Sequence, residues 1–317
     1  MATPIPTTND FTQFFEDVVP PESFDEKKAQ MDSFIKSQSE CKRKIVLITS
    51  GGTTVPLESR TVRFIDNFSI GTRGATSAEY FLKQGYAVLF LHRQRSLQPF
   101  CQRIDRNVLD DLHVSTDGSD TVTVNPESLQ RLLPVVRDYH RFKDTGVICQ
   151  LEFTTLTEYL LLLRAASMSL RVCGPRAMLY LAAAVSDFYV PHGQMPEHKI
   201  QSSEGALQLT LEMTPKMLKP LVKEWVPQAF IVSFKLETNP SLLMEKARGA
   251  LRRYQHQMVI ANILETRKRE IFIVTLNSEE EIRLSEADIQ SGREIEEPLI
   301  QKLSEFHSNL LSSQPAT

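Results

Sequence analysis

A short β-branched run that ends in two glycines, followed by a polar loop and two more glycines, constrains this chain more than any other feature. Residues 44–50 read KIVLITS, Gly51 and Gly52 follow, and SRTVRFIDNFSIGTRGATSAE leads on from Ser59 into a helical pattern. A glycine has no Cβ, so loop amides can approach a ligand closely. A helix N-terminus adds the positive end of its dipole, and the two together make an anion cradle. The segment therefore predicts a phosphate-bearing substrate or nucleotide. It matches neither G-x-G-x-x-G nor G-x-x-x-x-G-K-[ST], which weakens a plain dinucleotide reading and a P-loop reading. A tight turn whose glycines serve only packing is the plain alternative. The density of Arg60, Arg63, Asp66, Asn67 and Ser69 in one loop argues against it.

The pattern downstream sets the fold class. A helix over Thr76–Gln84 closes at Gly85, and YAVLFL (Tyr86–Leu91) is a second buried strand, which makes a parallel βαβ unit. Helices over Leu129–Lys143 and Leu156–Leu170, strands VICQLEFTT and MLYLAAAV, and then AFIVSFKLE, a helix over Pro240–Tyr254 and MVIANIL continue the alternation. IQSSEGALQLTLEM alternates around Glu204-Gly205 and reads as a β-hairpin; IFIVTL and EIRLS read as another. A helix over Ile295–Leu311 ends the pattern. The expectation is an α/β fold, a doubly wound, Rossmann-like, mostly parallel sheet with β-hairpin insertions. Residues 1–23 are expected to be a loose N-terminal arm, with Ser23 capping the first helix. Residues 24–317 are expected to form a single α/β domain with a polar insertion around 94–127.

Composition excludes several function classes. With 317 residues and a net charge of -3, the chain offers no global field for nucleic acid or an anionic membrane. No apolar run approaches the ~20 residues of a membrane span. The N-terminal residues lack a basic segment followed by an apolar one, so no signal peptide or mitochondrial presequence is expected. Cys41, Cys101, Cys149 and Cys173 form no C-x-x-C and lack metal-ligand spacing, so reduced thiols in a cytoplasmic protein and no protein-bound metal are expected; Cys101 reads as the exposed one. His92, His140, His198 and His256 are scattered and read as structural or exposed.

Ligands of doubly wound sheets sit beyond the carboxyl ends of the strands. The first strand delivers Gly51, Arg63 and Asn67 there. AAAVSDF delivers Ala183, Ala184 and Asp187, with Lys199 following in PEHKIQSS. SFKLET delivers Phe234 and Lys235, and MVIANIL delivers Asn262. Taken singly, each has an ordinary alternative: Asp187 as a helix cap, Lys199 as a solvated lysine, Asn262 as a turn residue. Gathered on one edge they suit a polyanion, with lysine charges able to stabilise a phosphoryl or acyl transition state.

SGGT, PLE, RF, DNFS with its two glycines, LAAAVSDF, PEHKIQSS, SFKLET and ANIL, in this order, resemble the phosphopantothenoylcysteine synthetase family, in its stand-alone eukaryotic form. The resemblance covers roughly residues 44–92 and 147–307, without the flavodoxin-like decarboxylase domain of the fused bacterial forms. It implies an ATP-dependent amide ligase of coenzyme A biosynthesis, with CTP the possible alternative nucleotide and Mg²⁺ on the leaving pyrophosphate. It implies 4′-phosphopantothenate and L-cysteine as substrates. By motif, Gly51, Ser69, Gly71, Gly74, Phe234 and Asn262 would line the nucleotide. Asn67, Ala183, Ala184 and Asp187 would hold phosphopantothenate, and Arg63 would reach its phosphate from the other subunit of a homodimer. Asn67, Lys199 and Lys235 would act in the chemistry. Ile70 stands where the family often has serine, and Thr72-Arg73 where it has an arginine pair. A Rossmann-type NAD(P)-dependent oxidoreductase and an inactive nucleotide-binding protein are the competing classes. The absent G-x-G-x-x-G speaks against the first, and the intact Asn67, Asp187 and Lys199 against the second.

Overall fold

The computed structural model describes residues 11–104, 107–115 and 120–313. In chain order its strands are β1 (Ile45–Ser50), β2 (Thr54–Pro56), β3 (Phe64–Asp66), β4 (Ala87–Arg93), β5 (Leu112–Val114), β6 (Val122–Val124), β7 (Ile148–Phe153), β8 (Ala177–Leu181), β9 (Phe188–Tyr189), β10 (Glu212–Met213), β11 (Phe230–Glu237), β12 (Met258–Ile263), β13 (Glu270–Val274) and β14 (Glu279–Arg283). Its helices are α1 (Phe11–Glu16), α2 (Phe24–Glu40), α3 (Thr72–Lys83), α4 (Pro126–Asp144), α5 (Leu156–Leu170), α6 (Leu218–Pro220), α7 (Pro240–Tyr254), α8 (Glu286–Gln290) and α9 (Glu296–Ser313).

Eight strands form one sheet in the order β14-β13-β12-β11-β8-β1-β4-β7. The six from β12 to β7 are parallel, and β13 and β14 extend the sheet antiparallel. Counting only the parallel strands along the chain, the spatial order is the doubly wound 3-2-1-4-5-6. The order reverses between β1 and β8, which sets the crevice for a ligand at their carboxyl ends.

Side chains of β1 alternate between two cores. Ile45 and Leu47 pack with α2 and α5, whereas Val46 and Ile48 pack with α3 and α9. A strand covered on both faces must be apolar at every position, which is why IVLI reads as an unbroken run. Each fully buried Leu or Ile stabilises by roughly 1.5–3 kcal/mol, so these four anchor the sheet. A third cluster seats α7, through Leu243, Ala247 and Leu251, on Val259 and Val274. The edge strand β7 is blunted by α2: Lys27 donates to the Glu152 carbonyl at 2.7 Å and Gln38 to that of Gly146 at 3.1 Å. One β7 acceptor, the Glu152 carbonyl, and a carbonyl just before the strand are thereby occupied.

Most expected elements are present, with corrections. The helix after the glycine loop begins at Thr72, four residues earlier than its apolar pattern suggested, because Gly71 turns the chain at φ +85°. The hairpin around Glu204-Gly205 does not form. Ser202–Glu204 is a 3-10 turn, and β10 pairs instead with β9, matching Met213 to Phe188. The alternation was real, but the partner lay on the far side of the loop. Within the expected loose arm, residues 11–16 form α1, whose Phe14 is buried and whose Phe11 and Phe15 meet Trp225 edge-on at 6.2 and 5.9 Å. The first ten residues lie outside those described. Ser23 makes no side-chain cap. Residues 94–127 include two 3-10 turns and the β5–β6 ribbon. Cys41 is exposed as well as Cys101, and Cys149 and Cys173 are buried.

Candidate active site

The crevice is built where β1 and β8 stop. Beyond their last residues the two chains stay paired: Ala184 donates to the Gly51 carbonyl at 2.8 Å and Thr53 to the Ala184 carbonyl at 3.1 Å. The Thr53 hydroxyl then accepts the Ser186 amide at 3.0 Å, and the Thr49 hydroxyl accepts that of Ala183 at 3.2 Å. These contacts hold Ala183, Ala184 and Ser186 rigidly beside the glycine loop. Gly51 adopts φ +86°, and a Cβ there would come within 2.7 Å of the Arg93 Cβ. Such a conformation with no room for a side chain requires glycine.

The polar loop folds back as the β2–β3 ribbon and delivers Asn67 to the same crevice, with its amide on the Thr53 carbonyl at 3.1 Å. Ser50 Oγ donates to the Gly71 carbonyl at 3.0 Å, fixing the start of α3. Gly74 is needed because a Cβ would fall 2.4 Å from that of Ser50. Ser69 lies half-buried between Asn67 and Gly71, and Ile70 is exposed. The predicted cradle of Gly51, Ser69, Gly71 and Gly74 therefore sits at the amino end of α3.

Phe234, Lys235 and Asn262 arrive on the neighbouring β11 and β12, in register so that Lys235 faces Ala261 and Leu236 faces Asn262. Phe234 packs edge-on against Tyr180 at 4.9 Å. Asn262 is buried at the end of β12. Lys235 lies 3.0 Å from Glu237, which Lys246 also approaches at 2.8 Å. Lys246 first and Lys235 second hold the Glu237 carboxyl below its usual range. Arg73, the remaining member of the expected arginine pair, stands 5.8 Å over the Phe234 ring and 3.0 Å from Glu296. It also donates to the Arg267 carbonyl at 2.6 Å. The turn after Asn262 is thus tied to the glycine loop.

Arg63 belongs to a separate cluster organised by Glu58, a residue the sequence reading missed, and Lys199 adjoins it in the chain through Ile200. The Glu58 side chain is fully buried. It accepts the amides of Arg63 at 2.9 Å, Val62 at 3.2 Å and Ile200 at 3.4 Å, and the Arg63 guanidinium at 2.9 Å. Carrying this many donors, led by the Arg63 amide, it is held down to about 2. Arg63 also donates to the Ile200 carbonyl at 3.1 Å. Arg60 pairs with Glu197 at 3.1 Å, so residues 196–200 are fastened along the 58–63 loop. Among the described residues no carboxylate pairs with Lys199, which is exposed. The signal available in the sequence was a glutamate at PLESR, five residues before Arg63.

Asp187 is exposed, and Lys216 lies against it at 2.5 Å, so its first partner is a lysine rather than a helix amide. Asn262 and the glycines are buried and Phe234 packs against the core, yet they lie with Asn67, Ala183, Ala184, Asp187 and Lys235 along the carboxyl edge of the sheet. Among the described residues, no group of three or more His, Cys, Asp or Glu side chains is arranged to hold a metal ion. His256, expected to be structural or exposed, is buried 2.8 Å from the Ser233 hydroxyl, and burial pushes its imidazole down to about 4.

Known proteins resemble this chain in sequence and fold. The family described as "DNA/pantothenate metabolism flavoprotein C-terminal domain" matches residues 165–304. Phosphopantothenate–cysteine ligase of Homo sapiens is 51% identical over 86% of this chain and 89% of its own. The chain belongs to the phosphopantothenate–cysteine ligase family. A second member, from Saccharomyces cerevisiae, is 42% identical over 86% of this chain and 79% of its own. A solved Cab2 mutant in complex with phosphopantothenate-cysteine superposes with a TM-score of 0.86 at 41% identity, covering 95% of this chain and 98% of that one. A Streptococcus pneumoniae flavoprotein structure, at TM-score 0.57 and 20% identity, shares the fold of the ligase family.

Proposed function

We propose that this protein joins 4′-phosphopantothenate to L-cysteine in two steps driven by ATP. A phosphopantothenate carboxylate oxygen attacks the α-phosphorus and the bond to pyrophosphate breaks, giving an acyl-adenylate. The cysteine amine then attacks the acyl carbon, the bond to AMP breaks, and the amine loses its proton as the amide forms. Activation is needed because a free carboxylate resists amine attack at neutral pH. Membership of the ligase family over most of the chain carries this reading.

The glycine cradle at the start of α3, Phe234 and Asn262 are assigned to the nucleotide. The place of Asn262 at the carboxyl end of β12, paired with β11, supports this. Asn67, Ala183, Ala184 and Asp187 are assigned to phosphopantothenate, Arg63 to its phosphate, and Asn67, Lys199 and Lys235 to charge that develops in transfer. Mg²⁺ would ride on the triphosphate oxygens, which suits its preference for substrate phosphates.

A homodimer with shared sites fits the surface. Phe68 is 87% exposed beside Asn67, and Val62, Phe64 and Ile70 are exposed near it. Four such side chains around one polar loop favour burial against a second copy. Free Cys41 and Cys101 on the surface fit a reducing cytoplasm. Among the described residues no helix is long and apolar enough to cross a membrane.

Product analysis tests the reaction. ATP, phosphopantothenate and cysteine together should yield AMP, pyrophosphate and the amide; ADP with inorganic phosphate would mean an acyl-phosphate route and refute the adenylate.

A further inference from the structure

The segment 96–103, whose polarity reads as part of a surface insertion, runs along the back of the glycine cradle and of α3. Leu97 donates its amide to the Ile70 carbonyl at 2.8 Å, directly before Gly71. Ser96 fills space left by two absent side chains: its Cβ lies 3.4 Å from where a Cβ on Gly51 or on Gly71 would stand. In the second turn of α3, Glu79 is 1% exposed and is a carboxylate the proposed reaction does not use. It accepts the Phe100 amide at 2.8 Å, the Gln102 carboxamide at 3.0 Å and the Arg103 guanidinium. Gln102 also donates to the Thr76 hydroxyl at 2.9 Å, and Arg103 goes on to Glu294, just before α9, at 2.7 Å. Phe100 itself stands at φ +65°, and the Cys101 amide returns to the Pro99 carbonyl at 2.8 Å. That is a γ-turn of the strained hand, which a bulky residue rarely adopts.

We infer that Glu79 is a positioning residue for the nucleotide: by gripping residues 100–103 it sets where the amino end of α3 stands. The inference rests on the ligase reading given above. Stability alone is a poor explanation for this arrangement. A buried carboxylate paired with arginine gains little, because desolvation offsets the attraction. A strained turn costs more still, and such strain persists where the surroundings over-determine it, most often at functional sites. What the two achieve together is geometry. Helix α3 is fastened at its start through Ile70 and in its second turn through Thr76 and Glu79, so it cannot slide along β1. An anion cradle of loop amides and a helix N-terminus works only when those amides are aimed beforehand at the phosphate oxygens. The residues assigned to phosphopantothenate are held by other contacts, Asn67 by the Thr53 carbonyl and Ala183 by the Thr49 hydroxyl. Loosening α3 should therefore be felt by one substrate and not by the others.

Full-length Glu79→Gln keeps the size of the side chain and an acceptor for the Phe100 amide, and removes the charge that holds Arg103. Arg103→Met breaks the same pair from its partly exposed side, where the interior of the fold is untouched, and Arg103→Lys returns a charge. Each is assayed for the KM of ATP, phosphopantothenate and cysteine, and by calorimetry for ATP binding to the protein alone. Glu79→Gln and Arg103→Met should raise the KM for ATP by roughly tenfold or more, the value of one hydrogen bond to a charged group. ATP affinity should fall by the same factor, the other two KM values should stay put, and Arg103→Lys should recover part of the loss. A merely structural role would lower kcat with the active fraction and leave every KM where it was. That outcome, or a rise in all three KM values together, would overturn the inference, and an unfolded Glu79→Gln leaves Arg103→Met to decide it. A wild-type protein that consumes no ATP in the presence of phosphopantothenate and cysteine would overturn the ligase reading itself, before any variant is compared.

Discussion

The carbonyl oxygen of Asn67 lies 1.6 Å from the point where a Cβ on residue 52 would stand. Gly52 and Asn67 are packed backbone against backbone, and a parallel bridge to Ala184 fixes Gly52 from the other side. The glycine in this loop therefore sets where Asn67 stands. Gly52→Ala should displace residue 67, abolish ligase activity and destabilise the fold by about 2 kcal/mol or more, as overpacking against rigid backbone does. Gly249→Ala is the contrast. Nothing lies within 4 Å of a Cβ there, in the interior of α7, and the change should raise stability by roughly 0.5–1 kcal/mol with activity intact. Thermal melting of the two variants reads both signs; an active, stable Gly52→Ala would show that the loop is softer than its geometry.

Asn67→Ala isolates the side chain from the backbone position. Asn67 is half-buried in a loop, and its recorded contact to Thr53 runs through the backbone amide, which alanine keeps. Activity should fall at least about a hundredfold, the scale seen when one preorganised donor is lost, with unchanged melting. Turnover within a few-fold of wild type would mean that the carboxamide does not touch phosphopantothenate.

Glu58 gives the Arg63 cluster a defined acid response. Its folded carboxyl is held down to about 2 from an ordinary 4.5, so it binds a proton more readily in the unfolded chain than in the folded one. The sign follows from linkage: its contribution is complete above the ordinary carboxylate range and disappears as pH falls toward 2. Melting curves of wild type and Glu58→Gln should differ most near neutral pH and converge between pH 4.5 and 2. A difference that stays constant across that range would mean that the carboxylate charge contributes nothing.

Much of this site was legible in the sequence because it depends on local chemistry. Gly51, Gly71 and Gly74 mark places where the backbone turns or touches its neighbours, and a strand written IVLI announces two covered faces. What escaped were contacts between distant segments. Nothing in the sequence assigned Glu58 its role, which comes from Ile200 and Arg63 closing over it, and Lys216 meets Asp187 only because β10 pairs with β9 rather than with its own sequence neighbours. Alternation in IQSSEGALQLTLEM fixed a period of two for the chain but could not choose its partner, since partner choice is decided by tertiary packing. Phe14 was hidden for the same reason: a short helix at a chain end has no propensity signal strong enough to reveal that Tyr189 and Trp225 wait for it.

The fastening of Arg63 to Ile200 also decides how shared sites must complement each other. In the proposed dimer Arg63 serves the other subunit's site, and its bond to the Ile200 carbonyl carries the adjoining Lys199 with it. The two then act as one unit from one chain, while Asp187 belongs to the chain that holds the rest of the site. Arg63→Ala and Asp187→Ala, each inactive alone, should restore activity when co-expressed, because one of the two sites in a mixed dimer receives an intact Arg63 from one subunit and an intact Asp187 from the other. Random pairing makes half the dimers mixed, each with one working site, so about a quarter of wild-type activity should return under two-fold symmetry. Arg63→Ala with Lys199→Ala should restore nothing, since every site in their mixed dimer lacks one member of the unit. Recovery in the second pair would show that Arg63 and Lys199 serve different subunits despite the bond from Arg63 to Ile200. Failure of the first pair, with mixed dimers demonstrated by differential tagging, would place Arg63 in its own subunit's site.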